Sequence, residues 1–303
     1  MKKILLVFAV ALLISGCKSY TTNETTSKPT VMKPANPSDY ANTITAEELK
    51  VMLYAYASDE FEGRLPTTIG EEKTLDYLTT ELTKAGFKPG NGDSFFQDVP
   101  LVEITGTPSK NMIITGDNTS INLEPLKDFV VTTNKPVENV SLENSELVFA
   151  GYGVVAPEYD WNDYEGIDWK GKTAVVLIND PGFKSGDSTL FKGNEMTYYG
   201  RWTYKYEEAA RQGADGLIII HDTEPASYGW NVVESGWSGA RLTIESDLPL
   251  LDVESWISGE SAQKLFDAST MKGKDYKTLA RNKDFKPVPL GLNVSVSIDN
   301  KIK

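Results

Sequence analysis

The chain is nearly devoid of imidazole and thiol, with one His and one Cys in 303 residues. A single Cys cannot close an internal disulfide or supply a Cys-rich zinc site. A single His rules out any centre that needs two imidazoles, and no HExxH occurs. Positive charge is also scarce: 30 Lys and Arg against 43 Asp and Glu give a formal charge of −13. Binding to phosphate backbones needs Lys and Arg, so a general nucleic-acid binder is excluded. The longest apolar run, Ile4 to Ile14, is too short to span a bilayer as a helix. What remains is a globular composition, 40% hydrophobic and 24% charged, with length for about two domains at ~150 residues each.

The apolar run has a different use. Met1-Lys2-Lys3 precedes it, and Ile14-Ser15-Gly16-Cys17 follows. A basic start, a short apolar stretch and small residues describe a secretory signal peptide over residues 1–16. The order apolar, small, small, Cys resembles the bacterial lipobox, which makes Cys17 the expected lipidation site. An ordinary signal with a chance Cys is the competing reading. Acyl chains on Cys17 would give a membrane partner, each buried CH₂ adding ~0.8 kcal/mol. Lys18 stands where an Asp would signal inner-membrane retention, so the expected location in a Gram-negative cell is the outer membrane, as a lipid-anchored envelope protein. Residues 17–43, rich in Thr, Ser, Asn and Pro, read as a flexible tether.

Residues 44–134 form the first folded segment. Thr45 with Glu48 and Thr68 with Glu71 have capping-box spacing. Leu49, Met52, Leu53 and Tyr56 recur at helical intervals after the first box; Leu75, Leu78 and Leu82 do so after the second, and Gly86 stops that helix. Phe95–Leu101 and Asn111–Thr115 read as short strands. Asp59, Glu60 and Glu62 are open to two readings: acid/base carboxylates of a hydrolase, or a charged turn held by local hydrogen bonds.

Ser58-Asp59-Glu60-Phe61-Glu62-Gly63-Arg64, then a helix ending in Ala85-Gly86-Phe87-Lys88-Pro89-Gly90, then Phe95-Phe96-Gln97-Asp98-Val99-Pro100-Leu101, occur in that order. The series resembles the start of secreted zinc aminopeptidases of metallopeptidase family M-28, in the subgroup with a protease-associated (PA) domain. The family turn is nearer GRxPGTxG. This chain has Gly63-Arg64-Leu65-Pro66-Thr67-Thr68-Ile69-Gly70, so Thr67 stands where the pattern has Gly.

Residues 135–268 form the second segment. Leu147–Ala150, Ala174–Ile178 and Leu217–Ile220 are apolar runs without alternation, as in buried strands, and Trp202–Gln212 is a helix stopped by Gly213. Strand, helix, strand predicts one crossover unit. Gly151-x-Gly153 lacks the third glycine and the helix of a dinucleotide site. Gly236-Trp237-Ser238-Gly239 only imitates a nucleophile elbow. His221-Asp222 at a strand end is either a base without an identified partner or a polar strand end in a turn. Tyr198, Tyr199, Trp202, Tyr204 and Tyr206 crowd a short stretch, with Trp230 and Trp237 nearby. Such a cluster suits recognition of peptides or sugars, or is simply the core face of a helix and its flanks.

The resemblance is densest here: Leu190-Phe191-Lys192-Gly193, Met196 to Lys205, Glu207-x-Ala209-Ala210-x-x-Gly213-Ala214, His221 to Ala226 and Tyr228-Gly229-Trp230 follow in order. It implies a PA domain that shapes access of a peptide substrate, with Tyr198, Tyr199, Arg201, Trp202 and Trp230 as candidate access or recognition residues. Residues 269–303 then read as a return segment, with Leu290, Leu292, Val294, Val296 and Ile298 alternating as a half-buried strand.

The fold this implies is α+β: an N-terminal helical lobe of a peptidase domain and an inserted β-rich PA domain with one crossover. The family's two zinc ions and its catalytic base belong to a downstream domain. No catalytic or metal residue is therefore expected in this chain, which alone is expected to be inactive. The expectation is a truncated or split aminopeptidase whose partner is a separate catalytic chain or domain. The alternative is a free-standing surface lipoprotein that binds peptides or glycans.

Overall fold

The computed structural model describes residues 36–303. Cys17, the signal segment and most of the tether lie outside the described residues. The chain divides into two units at Gln97/Asp98.

In the first unit, the short helix α1 (Pro37–Ala41) falls at the end of the expected tether, with the Asn36 side chain accepting from the Ser38 N–H. Helix α2 (Ala46–Tyr56) begins at the expected capping box: the Glu48 N–H donates to Thr45 Oγ1 at 3.2 Å, and the Thr45 N–H to the Glu48 carboxylate at 3.1 Å. A tight turn over Asp59–Arg64 buries Phe61, whose ring meets those of Tyr56 and Tyr77. Gly70 allows that turn to close, because a Cβ there would lie 2.5 Å from the Phe61 carbonyl.

The second capping box does not form. Helix α3 (Ile69–Lys84) follows Thr68, but the Glu71 carboxylate accepts from the Thr67 N–H at 2.6 Å, one residue earlier. Thr67 is in the left-handed region at φ 67°, which turns its N–H toward Glu71. The C-terminus behaves as expected. Gly86 sits at φ 84°, the Gly86 N–H donates to Thr83 and the Phe87 N–H to Leu82, a Schellman closure.

The second unit is built on a ten-stranded sheet. Its strands are β1 (Leu101–Pro108), β2 (Met112–Gly116), β3 (Thr119–Leu123), β4 (Phe129–Thr132), β5 (Asn139–Phe149), β8 (Lys172–Leu177), β9 (Gly216–Ile220), β10 (Ala240–Ile244), β11 (Val253–Ile257) and β12 (Val288–Ile302). A separate ribbon pairs β6 (Val155–Ala156) with β7 (Trp161–Asn162). The sheet order is β10-β1-β12-β5-β8-β9-β11-β4, with β2 and β3 attached through β12. The helices are α4 (Trp202–Arg211), α5 (Thr223–Ala226), α6 (Trp230–Gly236), α7 (Gly259–Ala268) and α8 (Tyr276–Ala280).

Four expectations change. The sheet draws strands from all three expected segments, 44–134, 135–268 and 269–303, so the contacts divide near residue 97 and not at 134 or 268. The strand expected in the last segment forms and lies inside the sheet: β12 pairs with β1 and β2 along one edge and with β5 along the other. The expected strand at 95–100 does not form, and β1 begins at Leu101. The parallel part also exceeds one crossover. β8–α4–β9 is the expected unit, and β5/β8 and β9/β11 are parallel as well. The fold is thus mixed α/β.

Burial explains the patterns. Val175, Leu177, Ile218 and Ile220 face a core closed by Ala262, Leu265 and Phe266 of α7. Val148, Ala174, Val176, Leu217, Ile219 and Trp256 face a second core closed by Tyr206, Ala209 and Ala210 of α4. A parallel strand covered on both faces must be apolar at every position, which is why these runs do not alternate. β12 is covered on one face only, and its alternating apolar residues are the buried ones.

Candidate functional site

The segment that carries the family resemblance is largely structural. Lys205 is fully buried on α4. Its Nζ donates to the carbonyls of Tyr152, Asn179 and Tyr199 at 2.6, 2.7 and 2.8 Å. Burial draws the ammonium down to about 7, with Asp180 and Asp163 opposing. Asp163, buried beneath β7, accepts from the Tyr152 and Val154 N–H groups and from Trp161 Nε1, and burial raises it to about 7. The lysine thereby ties together the chain after β5, the chain after β8 and the turn that leads into α4. Gly200 in that turn has no room for a side chain, since a Cβ would sit 2.7 Å from Met196 Cγ. Composition gave no sign of a charge in the core; a Lys on the apolar side of a short amphipathic helix was the only cue.

The aromatic cluster separates into three groups. Tyr199 and Tyr204 pack at 5.1 Å, and Tyr199 also meets Phe191 at 5.7 Å. The Tyr199 hydroxyl donates to Glu158, and the exposed Tyr198 donates to Glu207. Trp202 and Tyr206 lie one turn apart on the opposite side of α4, against Trp237 at 6.3 and 6.0 Å. Trp230 belongs elsewhere: its Nε1 donates to the Leu126 carbonyl at 2.7 Å and its ring abuts His221. Arg201 is exposed at the N-terminus of α4. Of the five candidate residues, only Tyr198 and Tyr199 are sequence neighbours that also share a cluster, through Tyr204.

Two open sites stand out. The first is a groove of about 600 Å³ bounded by α4, β10 and β11. Trp202, Tyr206, Leu242 and Leu251 supply apolar walls, with Glu207 and Arg211 also in the lining. Glu254 lines it too, although it is only 4% exposed. Strand alternation puts Glu254 and Trp256 on the α4 side of β11, while Val253, Ser255 and Ile257 point the other way. Glu254 Oε1 accepts from Asn134 Nδ2 at 2.8 Å. Burial raises the carboxyl to about 7, with Arg241 and Asn134 pulling it back. Nothing in the local sequence marked Glu254, because a lone acidic residue inside a strand pattern carries no signal until its neighbours are known.

The second site, about 570 Å³, lies at the carboxyl ends of β9 and β11 and is lined by His221, Asp222, Trp230, Ser258, Tyr276 and Lys277 among others. Burial lowers the imidazole, so His221 is neutral at pH 7. Its Nε2 lies 3.1 Å from the Tyr228 carbonyl, which can only accept, so Nε2 carries the proton. Asp222 pairs with Lys277. His221 is therefore a polar strand end held in a turn by its bond to the Tyr228 carbonyl.

The carboxylates of the first unit resolve in the same way. Asp59, Glu60 and Glu62 are exposed, and Glu62 pairs with Lys73 at 3.1 Å. They form a charged turn. Among the described residues no group of three or more His, Cys, Asp or Glu side chains is placed to hold a metal. The donors present do not fit a two-zinc centre: the one imidazole is bound to a carbonyl and the neighbouring Asp222 to a lysine. Among the same residues no helix is long and apolar enough to cross a membrane.

No known family profile matches the chain, and no curated protein matches it. Solved structures do. An aminopeptidase from Aneurinibacillus sp. strain AM-1 aligns at 16% identity and TM-score 0.34, over 82% of this chain and 44% of that one. BSAP, a zinc aminopeptidase from Bacillus subtilis, aligns in two structures at 14% and 13% identity with TM-scores of 0.29 and 0.23. Each covers 82% of this chain, and the alignments span 43% and 45% of BSAP. The chain spans less than half the length of the solved structures it matches.

Proposed function

We propose that this chain is the N-terminal, non-catalytic portion of a lipid-anchored, zinc-aminopeptidase-like envelope protein, and that its β-rich unit acts as a PA-type domain that receives the peptide substrate. One observation carries the reading: the Leu190–Ala214 segment, densest in family-like residues, builds the wall of the groove. Its buried residues, Lys205 above all, fix the start of α4, and its exposed face delivers Trp202 and Glu207 to the groove. The family's metal chemistry would reside on a separate catalytic chain or domain.

The test is release of an aminoacyl chromophore by the purified chain with added zinc, with metal content measured on the same sample. The expected result is substoichiometric zinc and no chelator-sensitive turnover, with turnover restored when a chain carrying a zinc peptidase domain is supplied. Stoichiometric zinc with chelator-sensitive turnover by the chain alone would overturn the reading. The groove itself also favours the second reading, a free-standing peptide-binding lipoprotein, which predicts peptide binding with no effect on any added peptidase domain.

A further inference from the structure

We propose that a small cavity at the carboxyl ends of β5, β8 and β9 binds the carboxylate of a short-chain organic acid, with Arg281 as its counter-ion. The inference stands apart from the peptidase reading. The cavity shares no lining residue with the groove beside α4, and its readout is binding and not turnover.

Arg281 is the central observation. It is the half-buried C-cap of α8 and lines the cavity. Its Nε is buried without a hydrogen-bond partner, and no carboxylate among the described residues lies within ion-pair distance of the guanidinium. The two carboxylates that line the cavity are taken by lysines: Asp222 pairs with Lys277 and Glu224 with Lys184. Asp275, at the other end of α8, accepts from the Thr278 N–H at 3.0 Å and from its hydroxyl at 2.6 Å. The polar neighbour of the guanidinium is the Tyr152 phenol, which burial raises and Arg281 draws back, so the phenol is neutral at pH 7. A neutral phenol offers a dipole and not a charge. A half-buried cation without an anion is costly, and a carboxylate entering the cavity removes that cost.

Charge and size select the ligand. Lys184, Lys277 and Arg281 face Asp222 and Glu224, three cations against two anions, which leaves one positive charge. A monoanion balances that charge. A phosphate dianion overshoots it and also meets the two carboxylates. The Tyr152 side chain is buried but lines the cavity, so its O–H can donate to one carboxylate oxygen while the guanidinium takes the other. Leu177, Ile178, Phe183 and Pro225 are apolar walls that suit a hydrocarbon stem. The volume of about 170 Å³ is below the ~300 Å³ at which drug-sized sites begin, so the stem is limited to a few carbons and a peptide chain is excluded. The frame is fixed by the sheet. Tyr152 follows β5, Leu177 ends β8 and Asp222 follows β9, and these strands are parallel neighbours. The carboxyl ends of parallel strands are where open α/β sheets place ligands. The Lys205 ammonium holds the Tyr152 carbonyl at 2.6 Å, so the phenol is presented from a tethered backbone.

The experiment titrates the intact chain with propionate, propionamide and inorganic phosphate at constant ionic strength, by calorimetry and by the rise of the unfolding midpoint with ligand. Propionate should bind with a dissociation constant on the order of 1 mM, as suits so small a ligand. Propionamide keeps the shape and loses the charge, and should bind roughly tenfold or more weakly. Phosphate should also bind more weakly than propionate. Arg281→Gln should abolish the preference for propionate over propionamide. Equal affinity for propionate and propionamide in the unaltered chain overturns the proposal without recourse to any variant. Phosphate binding tighter than propionate overturns it as well, because the site then takes a dianion. So does propionate binding that is unchanged in Arg281→Gln. Failure of propionate to bind at roughly twentyfold above the expected constant overturns it too, and is the result expected if water alone solvates the guanidinium.

Discussion

Replacing Lys205 by Met is the most severe test of how the β-rich unit holds together. Met matches the stem in length and leaves three carbonyls, those of Tyr152, Asn179 and Tyr199, without the protons they now accept. Stranding a buried acceptor costs about 1–3 kcal/mol, so three would lose about 3–9 kcal/mol. Against this stands the cost of keeping an ammonium out of water, which the substitution removes and which amounts to several kcal/mol. Asp163 and Asp180 keep their own hydrogen bonds but lose the positive charge that faces them. The net expectation is a loss of about 3–5 kcal/mol, the range found when one member of a buried charged set is removed. At about 2–4 °C per kcal/mol for a body of this size, the midpoint should fall by roughly 10 °C. All six Trp residues lie in the second unit, so tryptophan fluorescence during thermal or urea unfolding follows that unit alone. The cage also fixes the turn before α4, so the groove should loosen with it. A midpoint within about 1 kcal/mol of the unaltered chain would refute the reasoning, because it would mean the three carbonyls find other donors at no net cost.

Glu254→Gln should act in the opposite direction and reveal a pH signature. The carboxyl is raised to about 7 in the folded chain, so the folded state holds a proton that the unfolded state releases near pH 4. Its contribution is fully present below about pH 4 and lost as pH rises through 7, a fall of about 3 kcal/mol; urea midpoints across pH 4–8 should fall less in the Gln variant, and parallel curves would count against the burial argument. Thr67→Gly should stabilise the first unit by about 1 kcal/mol, because a β-branched residue at φ 67° is strained where Gly is not; lower hydrogen-exchange protection of residues 69–84 in the variant would contradict it. Cys17→Ser should shift the protein from the detergent phase to the aqueous phase in phase separation, and unchanged partitioning would remove the lipoprotein reading.

Local chemistry was enough to place many elements. The capping box at Thr45, the stop at Gly86 and the helix at Trp202 depend on neighbours within one or two turns, and all three are present. The unbroken apolar runs at 147–150, 174–178 and 217–220 are strands because only a two-sided core demands an apolar residue at every position, and the alternation of 290–298 marked a strand with one wet face. Tertiary structure alone decided what those elements join. β1 to β4 and β12 could belong to the same sheet as β5 and β8 to β11 only through pairings between distant residues, such as Ile104 with Ile302 and Trp256 with Val130, and no local pattern encodes such a partner. It also divided the aromatic cluster. Residues two apart on a helix point to nearly opposite sides, so Tyr204 turned toward Tyr199 while Trp202 and Tyr206 turned together into the groove. The same long-range packing put Lys205 inside a ring of carbonyls and buried Glu254 beside Asn134 and Arg241; burial depends on what the rest of the chain brings alongside, and a residue's neighbours in sequence do not determine it.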